Sequence, residues 1–384
     1  MICHDYDSFN KDTIEELAKY FENIYVLVRY NPLAKLSKFY PFLFLNRFSL
    51  KNKVDYRNKP KNVKIFITPF LYLTINFLYR QIGKKHYNAV QKIINKNSFH
   101  FDMILSQFAF SSGFVGAKLK EKYNVPLIIQ GLGYDIYDLP FRDKKWKKII
   151  EDSLNKADLI LTVSQSCLNA LNQLKINTRI ELIPNSYNDQ LFFPMNTIEA
   201  RRHLNLPLDK KILINVGNII KIKGQLLLVE ALSELIKVRN DILVIIIGDG
   251  SLKKKIEKKI DKLNLSSHLM LVGRINHAEV PFWLNSSDIF VFPSIRESFG
   301  VAQIEALACG VPVVATINGG SEDIIKDHKI GRLLKSRDPQ ILSNLILVML
   351  DYPFNRDIIA NYAKMNYSKK YVINQIKKNM DSLL

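Results

Sequence analysis

Short, unbroken apolar runs that alternate with stretches of helical spacing constrain this chain more than any other feature. Residues 242–247 are wholly apolar and are closed by Gly248-Asp249-Gly250, and residues 225–238 carry apolar side chains at helical spacing. Because such runs lack polar alternation, they predict strands that are covered on both faces. The other predicted strands are residues 24–28, 63–67, 103–105, 127–129, 159–163, 180–183, 211–216, 269–272, 289–292 and 311–315. The pattern indicates parallel α/β sheets with helical crossovers.

A break in this alternation divides the chain. Its 384 residues are enough for two domains with separate cores. Prolines punctuate the stretch from Pro184 to Pro194. We therefore expect two Rossmann-like, doubly wound domains, residues 1–188 and 189–355, that face each other across a cleft. Helical patterns near the end predict that residues 356–384 form helices that pack back on the first domain.

Composition excludes several classes of protein. Cys3, Cys167 and Cys309 are too few and too dispersed for a disulfide framework, and no CxxC or HExxH spacing suggests a metal site. We expect no metal and no cofactor. The chain begins with an acidic segment around Asp5 rather than a secretory signal. The longest uncharged stretch, residues 65–79, is shorter than the roughly 20 residues of a spanning helix. These features favour a cytoplasmic protein.

Basic charge is concentrated in the first half. The chain has a formal net charge of +19, and from Arg29 to Lys96 there are 15 Lys and Arg against one acid, Asp55. Aromatic clusters at residues 39–44, 70–72 and 77–79 interleave with these cations. The combination favours peripheral docking on an anionic inner membrane face, whereas no nucleic-acid-binding motif is present and no nucleic acid is expected. The equally simple alternative is that the aromatics fill the core and the lysines are solvated.

Two loops in the second half have a composition that suits phosphate binding. In doubly wound sheets, ligands bind at the carboxyl ends of strands, where helix N-termini present free amides to anions. The first loop, residues 217–224, brings Lys223 to the carboxyl end of a strand. The second loop, residues 248–250, is a glycine turn that allows close approach of a ligand. Taken alone, the first loop is equally typical of an ordinary surface lysine, and the second is equally typical of an ordinary tight turn. The candidate phosphate-binding residues of these two loops are Gly217, Asn218, Lys223, Gly248 and Gly250.

A third loop, within residues 292–316, carries the strongest signal. A predicted strand ends near Phe292, the loop carries Glu297, and a helix that begins near Gly300 carries Glu305. Carboxylates accept hydrogen bonds from sugar hydroxyls, so the two glutamates can bracket a sugar and a ribose around a diphosphate. Helix amides would hold that diphosphate, with about 0.3–1 kcal/mol from the helix dipole. The amides are those of Ser298, Phe299, Gly300 and Val301.

This segment resembles the retaining glycosyltransferases of GT-B fold called family 4. The family's hallmark is two glutamates with seven residues between them, here Glu297 and Glu305, followed by a Cys309-Gly310-Val311-Pro312 turn. Gly319-Gly320 is similar to the family's double glycine. The resemblance covers roughly residues 100–335. It implies that residues 1–188 bind the acceptor and that residues 189–355 bind a nucleotide sugar.

The resemblance also implies roles for individual residues. Glu297 and Lys223 would be the catalytic pair, with Glu297 on the transferred sugar and Lys223 on the donor diphosphate. Glu305 would bind the ribose, and Asp135 would lie on the acceptor side. The implied reaction needs no metal and transfers a hexose-type sugar, with retention, from a nucleotide diphosphate sugar to a hydroxyl of a glycan or lipid-linked acceptor.

The sequence departs from the family pattern at four places, one of which is the segment from Pro184 to Asn188, where the usual Gly and Asp of the domain hinge are absent. Asn218 stands where an arginine is frequent, and Leu132 stands where a histidine often lies beside the reacting sugar. Only Ile2-Cys3 precedes His4, where family members have a complete first strand. Leu132, Asn218 and the basic stretch keep open the alternative of a catalytically lapsed GT-B subunit or a polyanion-binding protein. A GT-B sugar-nucleotide epimerase or phosphorylase is a second alternative, against which the double-glutamate loop argues.

Overall fold

The computed structural model describes residues 1–38, 49–73 and 76–384. By their internal packing the residues divide into two compact units. The first unit comprises Met1–Pro184 and Lys369–Leu384, and the second comprises Asn185–Ser368. Each unit is built on one parallel sheet.

The sheet of the first unit has seven strands among the described residues, in the order β3-β2-β1-β4-β5-β6-β7. The short strand β1 lies in the middle, where Ile2 pairs with Leu27 of β2 and with Ser106 of β4. The strands are β1 Ile2–Cys3, β2 Ile24–Tyr30, β3 Val63–Pro69, β4 Ile104–Gln107, β5 Leu127–Gly131, β6 Leu159–Thr162 and β7 Arg179–Leu182.

The sheet of the second unit has six strands in the order β10-β9-β8-β11-β12-β13. The strands Ile242–Ile247 and Ile289–Phe292 are buried along their whole length, as the unbroken apolar runs predict. The strands are β8 Lys211–Val216, β9 Ile242–Ile247, β10 Leu269–Gly273, β11 Ile289–Phe292, β12 Val313–Thr316 and β13 Gly331–Leu334. The prediction of two doubly wound parallel α/β sheets is confirmed.

Helices connect the strands of both sheets. Those between Ser8 and Leu171, together with the last helix, belong to the first unit, and the others belong to the second. The helices are α1 Ser8–Leu17, α2 Asn76–Arg80, α3 Ile82–Asn97, α4 Phe114–Tyr123, α5 Tyr134–Tyr137, α6 Leu139–Arg142, α7 Lys144–Leu154, α8 Gln165–Leu171, α9 Thr197–His203, α10 Gln225–Leu235, α11 Lys253–Lys262, α12 Val280–Asn285, α13 Val301–Ala308, α14 Ser321–Ile324, α15 Pro339–Leu350, α16 Arg356–Tyr367 and α17 Lys369–Asp381.

The bounds of the units differ from the sequence expectation in two places. The first unit ends at Pro184 rather than at residue 188, and α16 belongs to the second unit rather than packing on the first. The guanidinium of Arg356, the first residue of α16, donates to the carbonyl oxygens of Cys309 at 2.9 Å and of Ser287 at 3.3 Å. These bonds tie α16 to the second unit. Of the helices within residues 356–384, α17 is the one that packs in the first unit, where it contacts α1.

Three aromatic residues of the basic stretch, Phe70, Tyr72 and Tyr79, pack inward. Tyr72 is buried, Phe70 stacks on His86 at 5.2 Å, and Tyr79 lies 5.8 Å from the fully buried Trp146, with both distances measured between ring centroids. The cluster at residues 39–44 lies outside the described residues. In the part of the chain that is described, no helix is long and apolar enough to span a membrane.

Candidate active site

The carboxyl ends of four neighbouring strands of the second unit, β8 to β11, surround a cavity of about 490 Å³. Parallel strands end at one edge of their sheet, which is where this fold class binds ligands. Nine of the residues singled out in the sequence line the cavity. They are Gly217, Asn218, Lys223, Gly248, Glu297, Ser298, Phe299, Gly300 and Val301.

Two glycines bring the first two loops into backbone contact. A Cβ on Gly248, where φ is +142°, would lie 1.9 Å from the carbonyl oxygen of Gly217, so only glycine fits. A Cβ on Gly217 would meet no atom within 4 Å. Gly217 therefore presents open backbone, to which a ligand can approach closely.

Gly250 has a different position from the one expected. It does not line the cavity, because its Cα faces the backbone of the first loop: a Cβ there would lie 2.3 Å from the carbonyl oxygen of Ile219. Ile219 in turn donates its N–H to the carbonyl of Asp249 at 2.9 Å. Gly250 thus joins two loops, and Asp249 takes the place at the cavity.

Lys223 and Glu297 form an ion pair in the wall of the cavity. Lys223 Nζ lies 2.7 Å from Glu297 Oε1, and the side chains are 25% and 11% exposed. The ammonium also lies 5.4 Å from the ring centroid of Phe292. The pair brings one cation and one carboxylate, from two different loops, to the same ligand-sized space.

The loop that carries Glu297 is fixed from behind by the double-glycine segment. The N–H of Glu297 donates to the carbonyl of Asn318 at 2.9 Å. A Cβ on Gly320 would lie 2.5 Å from the carbonyl oxygen of Phe299, so the two backbones touch. At the other end of the loop, Gly300 has a φ of +102° and leads directly into α13. The start of α13 therefore lies at the cavity, which Gly300, Val301 and Ala302 line.

Glu305 lies one layer behind the cavity wall. Its carboxylate is 10% exposed, and Oε1 lies 2.9 Å from Nε2 of His277. His277 lines the cavity itself, in the turn that follows β10. The structure therefore brings Glu305 to the site through a histidine that the sequence reasoning did not single out.

Arg274 is a second lining residue that the sequence reasoning missed. It follows Gly273 at the carboxyl end of β10 and is exposed. Both Arg274 and His277 follow a strand that the sequence does predict. Parallel strands end at the same edge of their sheet, so the loop after β10 lies beside the loop after β9. The place of the predicted strand β10 next to β9 was therefore the signal that could have identified Arg274 and His277.

Asp135 belongs to the first unit and is buried there. Its carboxylate accepts hydrogen bonds from the N–H groups of Ala109 at 2.6 Å and Gly133 at 3.0 Å. Burial raises the pKa of Asp135 to about 6, against the opposing effect of these hydrogen bonds. The residue joins the loop after β4 to the loop after β5.

Within the described residues, no three His, Cys, Asp or Glu side chains come together as metal ligands. The cations that face the cavity are supplied by Lys223 and Arg274.

Comparison with known proteins gives the family. Residues 196–366 match the profile of glycosyl transferases group 1, and residues 32–191 match that of glycosyltransferase family 4. An uncharacterized glycosyltransferase of Methanocaldococcus jannaschii is 30% identical over 318 residues, which is 82% of each chain. The chain belongs to glycosyltransferase family 4.

Two further comparisons extend this result. A protein of Catenulispora acidiphila called D-inositol 3-phosphate glycosyltransferase 2 is 27% identical over 70% of this glycosyltransferase and 68% of its own length. The structure of HepE from Anabaena in complex with UDP and glucose superposes with a TM-score of 0.73 at 19% identity, over 100% of this chain and 98% of HepE. The glycosyltransferase therefore has the GT-B fold, and the expectation of a retaining, nucleotide-sugar-dependent transferase family is confirmed.

Proposed function

We propose that this enzyme transfers a hexose-type sugar, with retention, from a nucleoside diphosphate sugar to a hydroxyl of a glycan or lipid-linked acceptor. The donor occupies the cavity of the second unit. The observation that carries this assignment is the Lys223–Glu297 pair at 2.7 Å, beside the open backbone of Gly217 and the amides at the start of α13. A volume of about 490 Å³ falls in the usual range for ligand pockets.

The diphosphate is the leaving group, and negative charge develops on it as the glycosidic bond breaks. The ammonium of Lys223 and the amides at Gly300 and Val301 stabilise that charge. Preorganised donors of this kind supply the largest share of rate enhancement in many enzymes. Arg274 adds a second cation to the lining, although Asn218 supplies none.

The two glutamates orient the donor. Glu297 accepts hydrogen bonds from hydroxyls of the transferred sugar, and Glu305 accepts those of the ribose, with His277 fixing its carboxylate. Retention follows when the acceptor oxygen attacks the anomeric carbon from the face that the diphosphate leaves. The anomeric carbon–oxygen bond to the phosphate breaks, the bond to the acceptor oxygen forms, and the acceptor proton passes to the departing phosphate oxygen.

Incubation of the purified chain with UDP-glucose and other nucleoside diphosphate hexoses, together with a panel of glycan and lipid-linked hydroxyl acceptors and in the presence of a chelator, tests the proposal. HepE is described in complex with UDP and glucose, which makes UDP-glucose the first donor to try. We expect release of the nucleoside diphosphate and a glycoside whose anomeric configuration, read by NMR, matches that of the donor. An epimerised donor without transfer would instead favour the epimerase alternative, and tight donor binding without turnover would favour the lapsed subunit.

The cell location is part of the same proposal. A nucleotide sugar donor is consistent with a cytoplasmic enzyme, and the basic surface of the first unit is consistent with peripheral binding to the inner membrane face. Leu71 and Leu73 are 56% and 49% exposed and precede α3, whose outer face carries Lys84 and Lys85. Exposed apolar residues beside lysines suit an anionic lipid surface.

A further inference from the structure

A cluster of buried cationic and imidazole side chains lies at the carboxyl edge of the sheet in the first unit. His4 follows β1, Arg29 lies near the end of β2, Ser111 and Ser112 lie in the loop after β4, and His86 lies on α3. We call these five residues the anion cluster. Ligands of doubly wound sheets bind along this edge. None of the five takes part in the donor site, which belongs to the second unit.

Hydrogen bonds connect four members of the anion cluster, and Lys53 provides the link to His4. Arg29 Nη1 donates to Ser111 Oγ at 3.1 Å, and Ser111 Oγ lies 3.0 Å from His86 Nδ1. The ammonium of Lys53 donates to the carbonyl of Arg29 at 3.1 Å and also to the carbonyl of His4. His4, Arg29, Ser111 and His86 thus form one connected polar network with Lys53, and Ser112 is the chain neighbour of Ser111.

The network carries more positive than negative charge. Arg29 and Lys53 are 8% and 7% exposed, and no described carboxylate lies within 4 Å of either cationic group. Asp5 is the acid that interacts with both, and its carboxylate accepts its hydrogen bond from Asn10 at 2.6 Å. Burial of a charge without a counter-ion costs several kcal/mol. Such an excess inside a protein indicates a place where an anion binds.

The imidazoles of His4 and His86 are neutral hydrogen-bonding groups. Burial, assisted by the charge of Arg29, lowers the pKa of His4 and of His86 well below the ordinary value of 6.5. Burial also lowers the pKa of Lys53 to about 8. At pH 7 Arg29 and Lys53 therefore both carry positive charge.

Several polar atoms of the anion cluster have no hydrogen-bond partner among the described residues. They are His4 Nε2, Arg29 Nε, His86 Nε2 and Ser112 Oγ. Buried polar groups are almost always satisfied, so four unsatisfied atoms in one network indicate a missing partner. A guanidinium matches the planar oxygens of a carboxylate or a phosphate better than any other side chain does.

We propose that the anion cluster binds an anionic group of the sugar acceptor, so that the acceptor is a hydroxyl compound that also bears a carboxylate or a phosphate. The assignment of this anion to an acceptor rests on the proposed function, whereas anion binding at the cluster does not. Arg29 pairs with the anion, and His4 and Ser112 complete its hydrogen bonds.

Titration of the full chain with malate and with inorganic phosphate at constant ionic strength and pH 7 tests the cluster. We expect Arg29→Gln to weaken binding of at least one anion by about tenfold or more. Arg57→Gln, a matched change at an exposed arginine outside both sites, should leave that binding unchanged. Malate binding alone identifies a carboxylate, and phosphate binding alone identifies a phosphate. No binding of either anion to the wild type, or equal binding to Arg29→Gln, overturns the proposal.

A second variant covers the case in which Arg29→Gln does not fold. The ring of His4 stacks on Phe108 at 4.3 Å between centroids, so His4→Phe retains the stack and removes the ring nitrogens. We expect weaker anion binding with an unchanged melting temperature. Unchanged anion affinity in a folded His4→Phe protein counts against the cluster.

Donor binding and turnover separate this inference from the proposed function. If malate or phosphate binds at the cluster but UDP-glucose and the other donors do not bind, the donor assignment fails and the anion site stands. If donors bind and react but Arg29→Gln raises KM for neutral and charged acceptors alike, the donor assignment stands and the anion site fails. The expected result is a KM about tenfold higher for charged acceptors only, at a similar kcat.

Discussion

Lys223 Nζ lies 2.7 Å from Glu297 Oε1, although 74 positions separate the two residues in the chain. Their loops touch through the backbone. A Cβ on Gly224 would lie 2.0 Å from the carbonyl oxygen of Pro293, and Ile295 donates its N–H to the carbonyl of Ile222 at 2.7 Å. The pair is therefore held by two loops whose main chains are in contact, which keeps both charges at the cavity wall before any ligand arrives.

Replacement of Lys223 by alanine is expected to slow transfer by about 10²-fold, because one preorganised charge is lost from the leaving diphosphate. The fold should survive, since the ion pair lies at the wall of a cavity rather than in the core. Steady-state rates with saturating donor measure the effect. Lys221→Ala removes an exposed lysine two positions away and serves as the control. Equal rates for both variants would show that Lys223 contributes no more to transfer than the exposed Lys221 does.

Replacement of Glu305 by alanine is expected to weaken donor binding. Two ribose hydrogen bonds to a charged group are lost, each of roughly 1.5–3 kcal/mol, so Kd should rise at least about tenfold. Calorimetric titration with the nucleoside diphosphate measures it. Glu257→Ala, at an exposed position on α11, is the matched control. A Kd that stays at the wild-type value would show that Glu305 does not bind the ribose.

Much of the second unit could be predicted from its sequence because its strands are buried on both faces. Ile242–Ile247 and Ile289–Phe292 are strands at the predicted residues. The cavity edge follows from the strand order. The direction in which Gly250 faces could not be predicted. Gly248 and Gly250 are indistinguishable in the sequence, and they differ only in the carbonyl oxygen that each one approaches.

The anion cluster of the first unit could not be predicted in this way. His4, Arg29 and His86 are far apart in the chain, and none belongs to a motif. They meet because β1 lies between β2 and β4 in the sheet and because α3 follows β3 at its edge. The helix α16 shows the same limit, since its place in the second unit depends on the bonds from Arg356 to carbonyl oxygens. Contacts made through main-chain groups leave little trace in a sequence.

Asp135 predicts a pH dependence of stability. Its pKa is raised to about 6 in the folded protein, so its contribution to stability is fully present below the unfolded value of about 4 and is lost as pH rises through about 6. The full effect is on the order of 3 kcal/mol. Asp135→Asn retains an acceptor oxygen but does not titrate. The melting temperature of the wild type, relative to this variant, should fall between pH 4.5 and pH 7.5. A difference that is constant over this range would contradict the prediction.

Membrane binding is expected to depend on the exposed face of α3. Within the basic stretch, Lys53 is buried and Arg57 pairs with Asp55 at 2.8 Å, so neither is a free surface charge. The outer face of α3 instead presents four exposed lysines near the exposed Leu71 and Leu73. They are Lys84, Lys85, Lys92 and Lys96. Each lysine near an anionic surface contributes about 1 kcal/mol.

Replacement of these four lysines together by glutamine should abolish co-sedimentation with anionic vesicles, and salt should weaken binding of the wild type. A matched variant carries the same replacements at four exposed lysines on α11 of the second unit, Lys254, Lys255, Lys258 and Lys262. Both variants lose the same net charge, so a loss confined to the α3 variant assigns the binding to that face. Equal losses in the two variants would mean that net charge alone drives binding. Equal recovery with neutral and anionic vesicles would mean that the lysines are merely solvated.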